Sequence, residues 1–223
     1  MIRAARFAPF AAAIVLCGLP VAAAAAEPKL APDSCVEFGK PKPTATFSYR
    51  RSQSPGGVTQ YTHRWTEFTP ERSSVAVVRG KVNEVVTTRH RIEGDVTMII
   101  ATATRASDGD SRTDFRPAAM GDPMFRACAG RGWKIRAVAA TYTAGARVTT
   151  ASTYAGTMRI ESLRETIELP AGRFQCVRYT RTLATPTGPS HDEYWKSIEH
   201  GVVVKQVSRL GGWTSTSELV AIK

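Results

Sequence analysis

Gly201-Val202-Val203-Val204-Lys205-Gln206-Val207-Ser208-Arg209-Leu210-Gly211-Gly212-Trp213 decides the fold class. Val203, Lys205, Val207 and Arg209 alternate with Val202, Val204, Gln206 and Ser208, a period of two that builds a sheet with unequal faces. Gly201 at one end and Gly211-Gly212 at the other are turn formers, so the run is a strand bounded by reversals of the chain. Outward from it, segments rich in Val, Thr, Tyr, Phe and Ile follow one another with turn residues between them. Strands are predicted over 44–50, 58–68, 74–82, 84–92, 96–105, 134–142, 157–168, 173–183, 192–197, 202–209 and 213–222. Ser54-Pro55-Gly56-Gly57, Glu93-Gly94-Asp95, Ser107-Asp108-Gly109-Asp110 and Ala171-Gly172 punctuate them. Helical periodicity is nearly absent, and the chain reads as one long antiparallel meander. The stretch 115–131, with Pro117, Pro123, Met120 and Met124, shows no clean period, and a short helix or loop lying across the sheet is expected there.

The first 26 residues have a different character. Arg3 and Arg6 precede an apolar run from Phe7 to Leu19, and Val21 leads into alanines up to Ala26, the layout of a charged n-region, an h-region and a small-residue cleavage site. A cleaved secretory signal peptide over 1–26 is expected, and with it a periplasmic address. The run is too short and too alanine-rich for a stable membrane span. Residues 27–43 read as an extended, Pro-rich lead-in and 44–223 as a single β domain. Removing the signal leaves 197 residues, a length that antiparallel barrels and sandwiches use as one domain.

The chain carries 30 Lys and Arg against 19 Asp and Glu, and losing Arg3 and Arg6 leaves the mature protein at +9. Outside the cytoplasm this excess argues for no nucleic-acid partner; the available polyanions are lipopolysaccharide, anionic headgroups and wall polymers. The arginines, among them Arg50-Arg51, Arg89, Arg91, Arg105, Arg178 and Arg181, are spread along every segment, as on a solvated outer face. Cys17 falls in the signal and follows Leu16, which disfavours lipid attachment there. Three cysteines remain, allowing one bridge and one leftover thiol in three possible pairings. Cys176 lies in a strongly β-patterned run whereas Cys35 and Cys128 lie in irregular stretches. This favours a Cys35–Cys128 disulfide and a buried, inert Cys176.

No catalytic signature stands out. There is no Gly-x-Ser-x-Gly elbow, and His63, His90, His191 and His200 sit singly, read as surface or strand-end residues rather than bases. His191, Asp192, Glu193 and His200 are the sharpest metal candidates, but their spacing matches no established ligand pattern, so neither metal nor cofactor is expected. The aromatic residues Trp65, Trp133, Trp195, Trp213, Phe47, Phe68 and Phe174 could line a hollow for an apolar guest.

Glu168-Leu169-Pro170-Ala171-Gly172-Arg173-Phe174, followed by Tyr194-Trp195 and by Gly201-Val202-Val203-Val204-Lys205, resembles uncharacterised bacterial periplasmic proteins of the lipoprotein-carrier-like (LolA/LolB-like) type. The resemblance covers roughly 157–222 and brings no catalytic residues. It implies a strongly curved antiparallel sheet, an incomplete barrel with a short helix or loop over its concave face, and binding of apolar or lipid-like molecules. The expected function is therefore non-enzymatic: a lipid or other apolar envelope molecule held at Phe174, Trp195 and Trp213, with Arg178 near the mouth meeting an anionic headgroup. The alternatives are an interaction module that docks an envelope protein partner, or a hydrolase with a dispersed site.

Overall fold

The computed structural model describes residues 34–94, 96–106, 109–143, 151–185 and 188–223. The signal region and residues 27–33 of the lead-in lie outside them. The described chain forms β1 (Cys35–Glu37), β2 (Phe47–Ser54), β3 (Val58–Phe68), β4 (Arg72–Arg79), β5 (Val82–Glu93), β6 (Val96–Ala106), β7 (Gly109–Met120), β8 (Arg126–Cys128), β9 (Gly132–Thr143), β10 (Ala151–Leu169), β11 (Gly172–Thr185), β12 (Gly188–Ser197), β13 (Val203–Leu210) and β14 (Trp213–Ile222).

Twelve of these strands close into one antiparallel barrel, in the order β10, β11, β12, β13, β14, β2, β3, β4, β5, β6, β7, β9. The incomplete barrel expected from the sequence is thus corrected to a closed one, and no helix occurs among the described residues. Closure rests on β14, the last strand, which pairs with β2, the first of the barrel, from Thr214 opposite Ser54 to Ile222 opposite Phe47, while β10, 19 residues long, joins β9 to β11 within the run. Both edges of the meander are thereby satisfied, which removes the open row of backbone groups that a half-barrel leaves exposed. The segment expected to hold a helix instead continues β7 to Met120, against β6, and then runs extended into β8.

Direct cross-strand pairing identifies the inward face. Ile135, Ala137 and Ala139 of β9, Met158 and Ile160 of β10 and Tyr179 of β11 are buried, while Lys134, Arg136, Val138, Thr157 and Arg159 between them are exposed. An eight-stranded barrel is just wide enough for its own side chains to fill, so twelve strands leave room inside. Part of that room is taken by the chain. β1 and β8 pair as a short ribbon with Cys35 opposite Cys128, and the two cysteines form a disulfide. Val36, Phe38 and Ala127 of this ribbon region pack on Ile135, Met158, Ile160, Val177 and Tyr179 of the wall and close one end of the barrel.

A second apolar cluster gathers Phe47, Tyr49, Phe174, Cys176, Val202, Val204 and Leu219. Cys176 and Val177 are neighbours in β11, point to opposite faces and are both fully buried, so the strand runs between the two cores. Register shifts in β10 between Ile160 and Glu165 supply the bend that this requires. The lead-in docks on the β12–β13 turn. The Gly39 amide donates to the Ile198 carbonyl at 2.7 Å, and Gly201, at φ +63°, lies so close that an added Cβ would stand 1.9 Å from the Gly39 oxygen.

The disulfide closes a loop of sequence separation 93. Replacing both Cys35 and Cys128 by Ser is expected to lower the unfolding free energy by about 4 kcal/mol through the freed unfolded chain. Urea titration measures it, and a double variant within about 1 kcal/mol of the parent would show that the ribbon is held by packing alone.

Candidate functional site

The space left between the ribbon and the far end of the barrel is two adjoining hollows. The inner one, about 300 Å³, is lined by Tyr49, Tyr61, Trp65, Phe68, Ile99 and Met124, with Ser73, Thr97, His90, Asp122 and Lys196 among them. The outer one, about 780 Å³, is lined by polar and basic side chains: Arg51, Gln53, Thr59, Arg79, Ser208 and Ser215. Tyr61, His63, Gln206 and Ser217 line both, so they form the neck between them. The lumen is therefore graded from aromatic at the ribbon to basic at the mouth.

This lining follows from strand alternation. The β2–β3 register sets Tyr49 opposite Tyr61 and Phe47 opposite His63, so Tyr49, Arg51, Tyr61, His63 and Trp65 all point inward. The Tyr49 and Tyr61 rings stack with centroids 5.1 Å apart. The Tyr49 hydroxyl donates to the Val203 carbonyl at 2.9 Å, and burial, aided by Tyr61, raises its pKa well above the ordinary tyrosine range. His63 is lowered to about 4 by burial and by the neighbouring Arg79 charge, so its imidazole is neutral at neutral pH. His90 donates from Nδ1 to the Pro70 carbonyl at 2.6 Å. Both histidines are wall residues of the cavity, not the surface residues that their isolated positions suggested.

Facing them across the lumen is a polar cluster on β11 and β12. Tyr179 stacks on Tyr194 at 4.8 Å, and Arg181 contacts the Tyr194 hydroxyl and pairs with Asp192 at 3.1 Å. Burial disfavours the Arg181 charge, but Tyr194, Asp122 and Asp192 more than offset it and its pKa rises. Arg181 is thus an internal, paired group rather than part of the solvated outer face. Lys196 donates to the Pro123 and Met124 carbonyls at 2.8 and 3.4 Å and lies 4.7 Å from the Phe38 ring centroid, tying the chain before β8 to the wall. Burial pushes it down to about 8, with Asp122 acting in the opposite direction.

The residues expected to bind a ligand lie elsewhere. Trp195 sits between the inward Tyr194 and Lys196 and so points to the other face of β12. There its Nε1 donates to Glu165 at 2.8 Å and the Lys205 ammonium lies over its ring. Arg178 pairs with the same Glu165 at 3.0 Å. Phe174 is a core residue at an edge contact with His200, and Trp213, at the start of β14, lies under the Arg51 guanidinium. None of the four lines either hollow. Alternation also splits the candidate metal ligands, because Asp192 turns inward to Arg181 while His191 and Glu193 face the opposite way. Of the aromatic residues that could line a hollow, Trp65 and Phe68 do so, and the rest of the cavity set escaped sequence reasoning. Its signal was available in the two alternating runs Phe47-Ser48-Tyr49-Arg50-Arg51 and Tyr61-Thr62-His63-Arg64-Trp65, joined by a hairpin turn.

No family model matches the chain, and no curated protein does. Solved structures with a similar course of the chain include a protein described as exported, with a YmcC-like fold, from Bacteroides fragilis. It is 14% identical, the match covers 85% of this chain and 100% of that one, and the TM-score is 0.45. The hypothetical lipoprotein YmcC of Escherichia coli is 12% identical over 80% of this chain and 84% of its own, with a TM-score of 0.42. A protein described as a lipoprotein, from Parabacteroides distasonis, is 13% identical over 85% and 100%, with a TM-score of 0.45. None of the three is named as a lipoprotein carrier.

Two outcomes follow from the titrating groups. A neutral His63 in the fold and an ordinary histidine in the unfolded chain mean that the unfolded state binds the extra proton. Stability is then intact above pH 6.5 and is lost as pH falls towards 4. His63→Gln should remove about 2 kcal/mol of that loss, read as the difference between variant and parent in urea midpoints at pH 7 and pH 4.5. Cys176 is free, buried and pushed up to about 12 by burial and by Glu165. Iodoacetamide at pH 8 should leave it unmodified in the native protein and alkylate it in urea, and mass spectrometry of the peptide containing it reads the difference.

Proposed function

We propose that this is an exported, non-enzymatic binding protein that takes one amphiphilic, lipid-like envelope molecule into its barrel. The apolar part lies among Tyr49, Tyr61, Trp65, Phe68 and Ile99, and an anionic or polar head meets Arg51 and Arg79. The observation that carries this reading is the grading of a single lumen, an aromatic hollow opening through a neck into a basic one. Ligand sites are concave, mostly apolar and completed by a few placed polar groups, and each of the two hollows falls in their usual range of roughly 300–1,000 Å³. The signal-like leader supports the exported address. The mature excess of basic charge suits an anionic head.

The outer wall supports a barrel that stands in water. Its strands carry ion pairs such as Arg50–Glu218, Arg72–Glu67, Arg91–Glu93 and Arg209–Glu193, with the arginines about half exposed. A lipid-facing barrel carries an apolar band at such positions, and charges there are costly.

A dansyl-labelled undecanoic acid, titrated into the purified mature protein, is expected to bind saturably with one site and bury its chain. Ser217→Trp fills the neck and should abolish binding. Arg51→Gln with Arg79→Gln should weaken it roughly tenfold through loss of the charged head contacts. An interior that takes no probe, in a protein otherwise folded, favours the interaction module over carriage.

A further inference from the structure

We infer that the outer face of β7, β9 and β10 is a docking surface for a bilayer rich in anionic phospholipid. On β9 the buried Ile135, Ala137 and Ala139 turn Lys134, Arg136 and Val138 outward. Cross-strand pairing puts Arg116 of β7 beside Val138, and Ala155 and Thr157 of β10 beside Arg136 and Lys134. Arg131, exposed in the turn before β9, extends the same line.

Elsewhere on the outer wall many basic residues are paired, and exposed ones without an ion pair to any described residue, such as Arg64 and Arg89, stand apart from one another. Glu165 takes Arg178, Glu193 takes Arg209, and Glu218 takes both Lys205 and Arg50. On the β7–β9–β10 face the nearby acids are already engaged, Asp110 by Arg105, Asp114 by Arg112 and Glu161 by Arg159. Arg116, Arg131, Lys134 and Arg136 are left exposed, with no ion pair to any described residue. The residues between them are small and uncharged, so the basic groups can meet one surface together.

The interleaved apolar side chains favour a bilayer over a soluble polyanion. Val138, 40% exposed, stands in the middle of the basic group, and Tyr142 lies further along the same outer line of β9. A basic face with apolar side chains among its charges suits the boundary between headgroups and acyl chains. A polyanion in solution would use only the charges. Docking here is independent of the ligand in the lumen, whose walls share none of these residues.

The test is co-sedimentation of the mature protein with vesicles of phosphatidylglycerol and phosphatidylcholine mixed, against phosphatidylcholine alone, at low and high salt, with soluble dextran sulfate as competitor. Binding only to the anionic vesicles, lost at high salt, is expected. Each basic residue near an anionic surface contributes roughly fivefold, so Arg116→Glu with Lys134→Glu and Arg136→Glu should weaken binding at least thirtyfold. The same three changed to Gln, which are milder on the fold, should give an intermediate loss. Arg64→Glu with Arg89→Glu, exposed on β3 and β5 and outside the basic face, should cost little. The inference is overturned by equal losses in the two charge-reversed proteins, by equal binding to both vesicle types, or by dextran sulfate binding with no vesicle binding.

Discussion

Everything in this molecule depends on β14 pairing with β2. A meander of antiparallel strands satisfies its internal strands automatically and leaves its first and last exposed, a row of unpaired donors and acceptors that invites aggregation. Here the first and last barrel strands, β2 and β14, hold each other, from Thr214 opposite Ser54 to Ile222 opposite Phe47. The remaining ten barrel strands only have to be neighbours of their neighbours. Without that closing pair the inner face would be one side of an open sheet and would need a cover. With it, the inner face is an enclosed volume whose size is set by strand number.

That volume is too large for the wall's own side chains, and the chain manages it in two ways. At one end it folds a ribbon inward, clamped by the Cys35–Cys128 bridge and by Lys196 reaching the Pro123 and Met124 carbonyls. A lysine buried this far costs free energy unless its protons are used, and here two carbonyls and the Phe38 ring use them. At the other end the wall changes character, from Tyr, Trp and Phe to Arg, Gln, Ser and Thr, so the lumen tolerates water where it opens. The gradient is written in the same strands. β2 contributes Tyr49 to the inner hollow and Arg51 and Gln53 to the outer one, in successive inward positions.

Strand existence was legible because period-two alternation survives wherever one face is wet. Most predicted strands are present, and the turn clusters fall between them. Three things were not legible. β7 beyond Arg116 carries Pro117, Ala118, Ala119 and Met120, which lack alternation because β7 there no longer pairs with β9 and runs on towards the ribbon. Closure was hidden because nothing local marks that β14 returns to pair with β2. The expected binding residues fall outside the hollows for a simpler reason. Trp195 and Arg178 are conspicuous residue types, but the side on which a residue falls is decided by parity within its strand, and both fall opposite Tyr194 and Tyr179.

Parity also explains how one sheet can serve two chemistries without conflict. Arg181 and Arg178 are three residues apart on β11, yet the first is held inside by Asp192 and Tyr194 and the second outside by Glu165. The inner arginine is surrounded by groups that keep it charged in a low-dielectric space, so it acts as a fixed positive element of the wall. The outer one is half-screened by solvent and contributes little to stability. A barrel can therefore tune its lumen through alternate positions while the intervening ones set net charge and surface contacts. In this chain the lumen set is aromatic and internally paired, whereas Arg116, Lys134 and Arg136 stand exposed together on the wall of β7 and β9.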